Sequence, residues 1–280
     1  FSDLKIQRIH SSGSNMQILY DGSYKNPADG NNAFYTLDHK YLIIYSDVCV
    51  QIRESSTYEL LHELISKKEI SAICCSNAEL YVGYSNGDIE VIEMERYRIV
   101  QCITICSKIE KIMLSSMQKY IMVEYHDDAY EDKGSTFSLY SAILLTHIFD
   151  FHGQKFLFDS LDEQIMISTK RKGMEHQSKM MELWSVKKQD SNEIHQVKCL
   201  KTAYWKDILK NVEECDWKWI GIIFRWIFVP NTNKLLFYVR HDYFGKLFVW
   251  NLDTWVCERC VDTMVPCNFF SKSDNFYSAE

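Results

Sequence analysis

Two cysteines near the end of the chain are the residues best suited to bind a metal ion. Cys257 and Cys260 form a single Cys-x-x-Cys pair, with His241 and Cys267 not far away in the sequence. A structural zinc site needs four sulfur or imidazole ligands, usually from two such pairs. The second pair is missing, and both cysteines fall on a predicted strand, where alternation directs them to opposite faces. We therefore expect ordinary strand cysteines and no metal.

Two charged segments could hold an ion or contact a charged partner. Residues 125–132 are acidic, but they lack the ligand order and the sixth-position glycine of a calcium loop. Lys170, Arg171 and Lys172, followed by Lys179, form a basic segment that could contact phosphate or an acidic peptide. Because charged runs usually form solvated surface, we interpret both segments as hairpin loops.

The sequence carries no recognisable catalytic arrangement. It has no Gly-x-Ser-x-Gly, His-Glu-x-x-His or Gly-rich phosphate loop, and its nine histidines are scattered. The formal net charge of −7 opposes wholesale binding to nucleic acid or to an anionic membrane. Trp and Tyr could stack on bases, but the basic groove needed beside them is missing. We expect no catalytic residue, no cofactor and no nucleic-acid partner.

Short strands in a repeat must position all of these residues. The clearest unit runs from Ile70 to Thr104 and reads as four antiparallel strands, with Asn86-Gly87 supplying a tight hairpin turn. Similar units precede and follow it. Each third strand ends on a comparable residue, which we call the slot residue, and these are Arg53, Ile92, Tyr140, Trp184 and Trp250. Except for the last interval, their spacing fits a propeller blade of roughly 40–45 residues with loop insertions.

Three stretches resemble the WD-repeat β-propeller family. Residues 83–91, Gly-Tyr-Ser-Asn-Gly-Asp-Ile-Glu-Val, look like the turn into its third strand, and residues 247–252, Leu-Phe-Val-Trp-Asn-Leu, look like its hallmark strand end. Residues 181–185 are a weaker copy. The chain departs from the pattern because it has no Trp-Asp dipeptide and no Gly-His pair before a blade. It therefore resembles a diverged member, and the polar tetrad of regular blades is not carried over.

The resemblance implies an all-β propeller of four-stranded antiparallel blades. We expect residues 1–280 to form one propeller segment with partial blades at both ends and five complete blades, at residues 33–66, 70–104, 109–149, 155–200 and 220–262. One insertion breaks the rhythm near residues 200–219. Within it, Tyr204, Ile208, Leu209 and Val212 recur at helical spacing, which predicts an amphipathic helix.

Four of the seven tryptophans lie in or beside this insertion. Because tryptophan is enriched at interface hot spots, Trp205, Trp217 and Trp219 are the candidate partner-binding residues. The alternative is a helix held over one propeller face, with the tryptophans only packing.

Composition adds limits on compartment and turns. The chain is 46% hydrophobic and 14% aromatic, so a sizeable core is expected. No signal peptide is visible, and the longest apolar run, residues 219–229, is too short for a membrane helix. Ten cysteines, several inside apolar strands, indicate reduced thiols and a cytoplasmic or nuclear protein. Only 10 glycines are present, so we expect many turns to rely on Asn, Asp and Ser.

The function expected from these features is a non-catalytic protein-interaction scaffold or regulatory sensor within a larger multi-domain protein. The resemblance implies hosts such as apoptosome-type adaptors, ubiquitin-ligase substrate receptors and coat or kinetochore subunits. One alternative is a hydrolase or oxidoreductase on a propeller scaffold, but the predicted first strands are mainly apolar and show no repeating acid or histidine. Another is a structural wall that only spaces other domains.

Overall fold

The described part of the chain consists mainly of short antiparallel strands. The computed structural model describes residues 5–6, 20–21, 32–36, 38–105, 107–125, 135–170, 179–188, 195–204, 223–229, 232–241 and 244–263. A short pair, β1 (Lys5–Ile6) and β2 (Tyr20–Asp21), precedes five four-stranded sheets, which we call blades 1 to 5.

The strands of each blade follow one another in the order of the chain. Blade 1 comprises β3 (Asn32–Tyr35), β4 (Tyr41–Tyr45), β5 (Cys49–Glu54) and β6 (Leu60–Ile65). Blade 2 comprises β7 (Ile70–Cys75), β8 (Glu79–Tyr84), β9 (Asp88–Glu93) and β10 (Arg98–Thr104). Blade 3 comprises β11 (Ile109–Leu114), β12 (Tyr120–Tyr125), β13 (Ser135–Ser141) and β14 (His147–Gly153). Blade 4 comprises β15 (Lys155–Phe158), β16 (Gln164–Lys170), β17 (Lys179–Lys188) and β18 (His195–Tyr204), and blade 5 comprises β19 (Ile223–Val229), β20 (Lys234–His241), β21 (Phe244–Asn251) and β22 (Val256–Thr263).

The predicted all-β class with four-stranded antiparallel blades is confirmed. Second strands carry continuous apolar runs because both of their faces are covered, as with Leu42, Ile43 and Ile44 of β4. Fourth strands differ, since β6 and β10 leave most of their side chains partly or fully exposed. Among the described residues no helix has the length and apolar character of a membrane span.

Two compact units divide the chain, Phe1–Ile109 with blades 1 and 2 and Glu110–Glu280 with blades 3 to 5. In the first unit a single apolar cluster joins the two blades and includes Ile43, Ile52, Leu80 and Val82. In the second, one cluster joins blades 3 and 4 and another joins blades 4 and 5, with members such as Phe137, Phe156, Met181 and Trp250. Neighbouring blades within a unit therefore share a core, which fixes the positions of their turns.

The predicted insertion near residues 200–219 is wrong at its start. Strand β18 continues to Tyr204, where Met180 of β17 is its partner, so Leu200 to Tyr204 belong to blade 4. The reason is that β17 is ten residues long and offers a backbone partner this far along. Tyr204, taken as the first residue of the helical spacing, is therefore a strand residue. Residues 205–219 lie outside the described residues.

Every blade carries a β-bulge at the same place in its fourth strand. One extra residue is inserted beside the partner of the slot residue, and these extra residues are Leu61, Val100, Ile148, Leu200 and Glu258. The bulges show that the five slot residues chosen from the sequence occupy equivalent positions. A bulge also twists an outer strand and hinders pairing with another chain along that edge.

The bulge of blade 5 reverses one sequence expectation. Cys257 is the partner of Trp250 and Cys260 is the partner of Phe248, with Glu258 as the extra residue. Because Trp250 and Phe248 lie on one face, both cysteines lie on that face too, and not on opposite faces as strict alternation predicts. Cys257 belongs to the buried cluster and Cys260 packs against it.

Most left-handed turn positions among the described residues are occupied by residues other than glycine, with Gly87 at φ +90° as the exception. Seven non-glycine residues in the described part of the chain have positive φ, namely His39, Tyr58, Tyr97, Gln118, Leu145, Asp162 and Trp255. Four of these residues lie five positions after a slot residue, and they are Tyr58, Tyr97, Leu145 and Trp255. The expectation that Asn, Asp and Ser replace glycine is met at Asp162, whereas the other six positions use larger side chains. Packing offsets the cost of roughly 1–2 kcal/mol per residue, as where Trp255 contacts Trp250 with ring centroids 4.7 Å apart.

Candidate interaction surface

Two connections lie at the same end of each blade, one between the first and second strands and one between the third and fourth. We call this end the turn face of the blade. In blades 1 to 4 the first turn opens on a residue whose side-chain oxygen accepts a hydrogen bond from a backbone N–H three to five residues further on, and these residues are Thr36, Ser76, Ser115 and Asp159. Such side chains favour turns because they satisfy turn amides locally. Hydrogen bonds within each turn therefore stabilise its conformation.

Asp162 ties the turn face of blade 4 to that of blade 3. Its side chain is 2% exposed and accepts hydrogen bonds from Ser115 Oγ, from the backbone N–H of Met117 at 3.1 Å and from that of Lys119 at 3.3 Å. Lys119 Nζ also donates to the carbonyl of Leu161 at 3.0 Å. A buried carboxylate with several donors is a strong restraint, so the two first turns are fixed against each other.

Four large apolar side chains project from these fixed turns. Met117 and Leu161 sit at the first turns of blades 3 and 4, and Ile143 and Leu144 sit at the second turn of blade 3, which bonds to the first turn through Ala142 N–H and the Lys119 carbonyl at 2.9 Å. All four are exposed, and Ile143 reaches 74%. We call them the apolar tips. Grouped exposed apolar residues mark interaction sites more often than scattered ones.

The turn face of blades 1 and 2 is polar by contrast. The backbone N–H of Asp38 donates to Asn77 Oδ1 at 3.1 Å, which links the first turns of the two blades. The exposed residues described at these turns are small, polar or charged, among them Asp38, His39, Lys40, Asn77, Ala78, Glu95 and Arg96. The exposed large apolar side chains of these blades lie mainly on the outer strands, at Leu60, Leu61, Ile65, Ile99 and Val100.

A charged network closes the opposite end of blade 2. Lys68 Nζ lies 3.0 Å from Asp88 and 3.2 Å from Glu90, and Thr104 Oγ1 donates to Asp88 at 2.6 Å. The hydrogen bond from Thr104, followed by that from Lys68, lowers the pKa of Asp88 to about 2. Burial and a hydrogen bond to Glu90 raise the pKa of Tyr84. These groups satisfy one another, so the network is structural.

One cluster in blade 3 contains the residue types of a hydrolase triad in the wrong order. Ser138 Oγ donates to Asp150 Oδ1, and His147 Nε2 lies 2.7 Å from the same oxygen. A nucleophilic serine needs the imidazole beside its own hydroxyl, whereas here the carboxylate separates them. Ser138 is also 1% exposed. The cluster supplies packing and hydrogen bonding to the sheet.

The structure does not describe most of the site residues predicted from the sequence. Trp205, Trp217 and Trp219 lie outside the described residues, as do most of the acidic and basic loops. Among the described residues no group of three His, Cys, Asp or Glu side chains could hold a metal ion. The apolar tips were missed, although a signal was present, because residues 142–145, Ala-Ile-Leu-Leu, form an apolar run at a turn, where polar residues are the rule.

Comparison with known proteins gives the fold and no family. No family model matches the chain, and no curated protein matches its sequence. Among solved structures 1422 chains match, so the likeness is too widespread to select a function. One match is to a chain of the "Crystal Structure of Mitotic Checkpoint Complex", with a TM-score of 0.54 and 11% identity, covering 84% of this chain and 64% of that chain. This chain thus spans less than two thirds of that neighbour's length. Together with the repeated sheets, the match shows that the protein has a β-propeller fold.

Proposed function

We propose that this protein is a non-catalytic protein-interaction module that binds a partner through the turn face of blades 3 and 4. The observation that carries the proposal is the set of apolar tips on joined turns. Asp162 joins the first turns of blades 3 and 4, and the hydrogen bond from Ala142 N–H to the Lys119 carbonyl joins the two turns of blade 3. Burying exposed apolar area gains roughly 25 cal/mol per Å², and rigid turns lose little entropy when a partner binds.

The other exposed apolar surface is a poorer candidate. The outer strands carry a bulge in every blade, and charged residues such as Glu63 and Arg98 are interspersed along them. Both features are typical of strand edges that avoid pairing. The structural neighbour comes from a mitotic checkpoint complex, which agrees with a role in holding proteins together.

The test uses two isoleucines with the same exposure, Ile143 in the tips and Ile65 on β6, both 74% exposed. Proteins that copurify with the chain are compared for the wild type, Ile143→Ser with Leu161→Ser, and Ile65→Ser. We expect the double variant to lose a specific set of proteins that Ile65→Ser retains. Equal recovery from all three chains would refute this surface as the binding site, provided that all three melt alike.

An activity assay distinguishes a propeller enzyme from the proposed non-catalytic module. A propeller enzyme needs convergent acid, base or nucleophile groups at an accessible site, and Ser138, His147 and Asp150 do not make one. Turnover of an ester, glycoside or redox dye that is lost in His147→Ala at unchanged stability would contradict the proposal of a non-catalytic protein.

Two further expectations belong to this proposal. We propose that the protein resides in the cytoplasm or nucleus, because its ten cysteines, several of them inside apolar strands, favour reduced thiols. Trp205, Trp217 and Trp219 stay candidate contacts. If a partner uses them, Trp205→Ala or Trp217→Ala reduces its capture, and unchanged capture with both variants removes them from the site.

A further inference from the structure

We propose that Asn86 is a site of spontaneous deamidation, a modification that the folded turn blocks and that proceeds when this part of blade 2 opens. The site lies in the turn between β8 and β9, at the end of blade 2 opposite its turn face, so it is independent of the proposed binding surface. Asn86-Gly87 is the only Asn-Gly pair in the sequence. Asn86 is exposed, so water reaches it.

The reaction needs water as its only co-reactant. The backbone nitrogen of Gly87 attacks the side-chain carbon Cγ of Asn86, and a bond forms between them as the nitrogen loses its proton. The Cγ–Nδ2 bond breaks, and the side-chain nitrogen leaves as ammonia. Water then opens the cyclic imide at either carbonyl to give aspartate or isoaspartate, with no change in oxidation state. Glycine favours the attack because it has no side chain to hinder the approach.

The folded turn restrains the attacking nitrogen. The backbone N–H of Gly87 donates to the carbonyl of Tyr84 at 3.0 Å, and the carbonyl of Gly87 accepts from the N–H of Ile105 at 2.7 Å. Gly87 has φ +90°, and a Cβ placed there would lie 1.9 Å from the Ile105 carbonyl oxygen. The peptide groups on both sides of Gly87 are therefore held, and the nitrogen cannot turn towards the Asn86 side chain while these hydrogen bonds persist.

The side chain of Asn86 is restrained as well. Its Oδ1 accepts from the backbone N–H of Asp88 at 3.2 Å, and its Nδ2 donates to Asp88 Oδ2 at 2.8 Å. Asp88 is itself bound by Thr104 Oγ1 at 2.6 Å and by Lys68 Nζ at 3.0 Å. Both reacting groups thus have hydrogen-bond partners inside the folded turn. The reaction therefore requires the turn to open, and its rate follows the fraction of chains that are open.

The product destabilises the turn from which it forms. A carboxylate at this position replaces the amide that donates to Asp88. Hydrogen bonds from Thr104, Lys68 and Asn86 hold the pKa of Asp88 at about 2, so Asp88 is ionised at neutral pH and repels a second carboxylate. Isoaspartate adds a carbon to the backbone beside Gly87, where the turn is tightest. Deamidation therefore marks chains that have opened and leaves them less stable.

The experiment follows the conversion of Asn86 at neutral pH by peptide mapping with mass spectrometry, which resolves asparagine, aspartate and isoaspartate. The folded chain is compared with the same chain in guanidinium chloride and with a synthetic peptide of residues 80–95. Two variants loosen the turn, Asp88→Ala and Thr104→Val. Their matched control is Glu93→Ala, which removes a carboxylate with arginine partners at the other end of β9. Each variant is also measured in guanidinium chloride, and melting curves check its folding.

We expect Asn86 to react at least about tenfold more slowly in the folded chain than in the unfolded chain or the peptide. Asp88→Ala and Thr104→Val should each raise the ratio of folded to unfolded rates by about threefold or more, with Glu93→Ala unchanged. Equal rates in folded and unfolded wild type, or loosened variants no faster than the control, would overturn the proposal. The wild-type comparison needs no variant, so it decides the matter even if a variant does not fold.

A second measurement tests the effect of the product. Asn86→Asp represents the aspartate product and should melt about 2 °C or more below the wild type. Added salt should reduce the difference, because it arises from repulsion between carboxylates. Asn86→Ser loses the amide donor without gaining a charge, so its melting temperature should lie between the two. If Asn86→Asp were as stable as the wild type, the inference that deamidation weakens the turn would be wrong.

Discussion

Blades 1 and 2 and blades 3 and 4 use the same backbone design at their turn faces and different side chains at the tips. In both pairs the first turn opens on a capping oxygen and contains a left-handed residue, His39 in blade 1 and Gln118 in blade 3. Blades 1 and 2 join their turns through one exposed hydrogen bond at Asn77, and their tips are polar. Blades 3 and 4 join theirs through the buried Asp162 and present apolar tips.

The difference teaches that fold and binding surface are separable in this protein. Local hydrogen bonds, bulges and shared cores define the blades and recur throughout, so the tips are free to vary. The stronger restraint occurs where the tips are apolar. Rigid support for exposed apolar side chains is expected of a binding surface, because a preformed surface loses less entropy on association.

The largest effect is predicted for the turn between β8 and β9, at the end of blade 2 opposite its turn face. Gly87 has φ +90°, and a Cβ placed there would lie 1.9 Å from the carbonyl oxygen of Ile105. Gly87→Ala should therefore lower the free energy of unfolding by about 3–4 kcal/mol, because backbone must move and the conformation is strained. Urea unfolding measures this. A loss below about 1 kcal/mol would mean that the turn is not as tight as the structure has it.

The next prediction compares the buried Asp162, which joins the first turns of blades 3 and 4, with the exposed Asn77, which joins those of blades 1 and 2. Asp162→Ala leaves the Met117 and Lys119 amides without their acceptor and should cost about 2–3 kcal/mol. Asn77→Ala removes one exposed acceptor and should cost about 0.5 kcal/mol or less. The pair is compared by urea unfolding at pH 7. Equal losses would remove the distinction between a buried clamp and a surface contact.

A smaller effect depends on pH and concerns blade 2. The folded pKa of Asp88, about 2, lies below its unfolded value near 3.9. Ionised Asp88 therefore adds stability above about pH 4, which is lost as the pH falls towards 2. Asp88→Asn should cost about 0.5–1 kcal/mol at pH 7, because the pair is partly solvated, and almost nothing at pH 2. Thermal melts of both proteins across this range test it, and a pH-independent difference would contradict it.

The smallest effect tests whether the two regions share one backbone design. His39→Gly and Gln118→Gly keep the left-handed turn without its strain, so each should gain about 0.5 kcal/mol after the added chain entropy of glycine. The gains should match, since the φ values of 54° and 58° are similar. Melting temperatures measure both. A gain in one turn and a loss in the other would show that the turns are not equivalent.

Much of the fold could be predicted because most strands and some turns are indicated by residues close together in the sequence. The apolar runs of β4 and β8 and the turn at Asn86-Gly87 identify strands directly, and the slot residues have the spacing of blades. The left-handed turns were not predictable, because Tyr58 and Trp255 carry no local signal for positive φ. The bulge that places Cys257 and Cys260 on one face depends on pairing with β21, and the extension of β18 to Tyr204 depends on the length of β17.

The candidate surface was harder to predict for a different physical reason. Asp162 reaches residues more than forty positions earlier in the chain, so its role exists only once two blades are packed. The exposure of Met117 and Leu161 is likewise a property of the packed turns. Ile143 and Leu144 did carry a signal, since apolar residues at a turn are unusual, whereas clustered tryptophans drew attention to residues 205–219.

The most direct measurement of the central claim is hydrogen–deuterium exchange of the chain with and without a bound protein partner. We predict added protection in the turns at residues 116–119, 143–146 and 160–163. The turns at residues 38–40 and 77–78 and the outer strands β6 and β10 should be unchanged. Protection confined to the turns of blades 1 and 2 or to those outer strands would contradict the account.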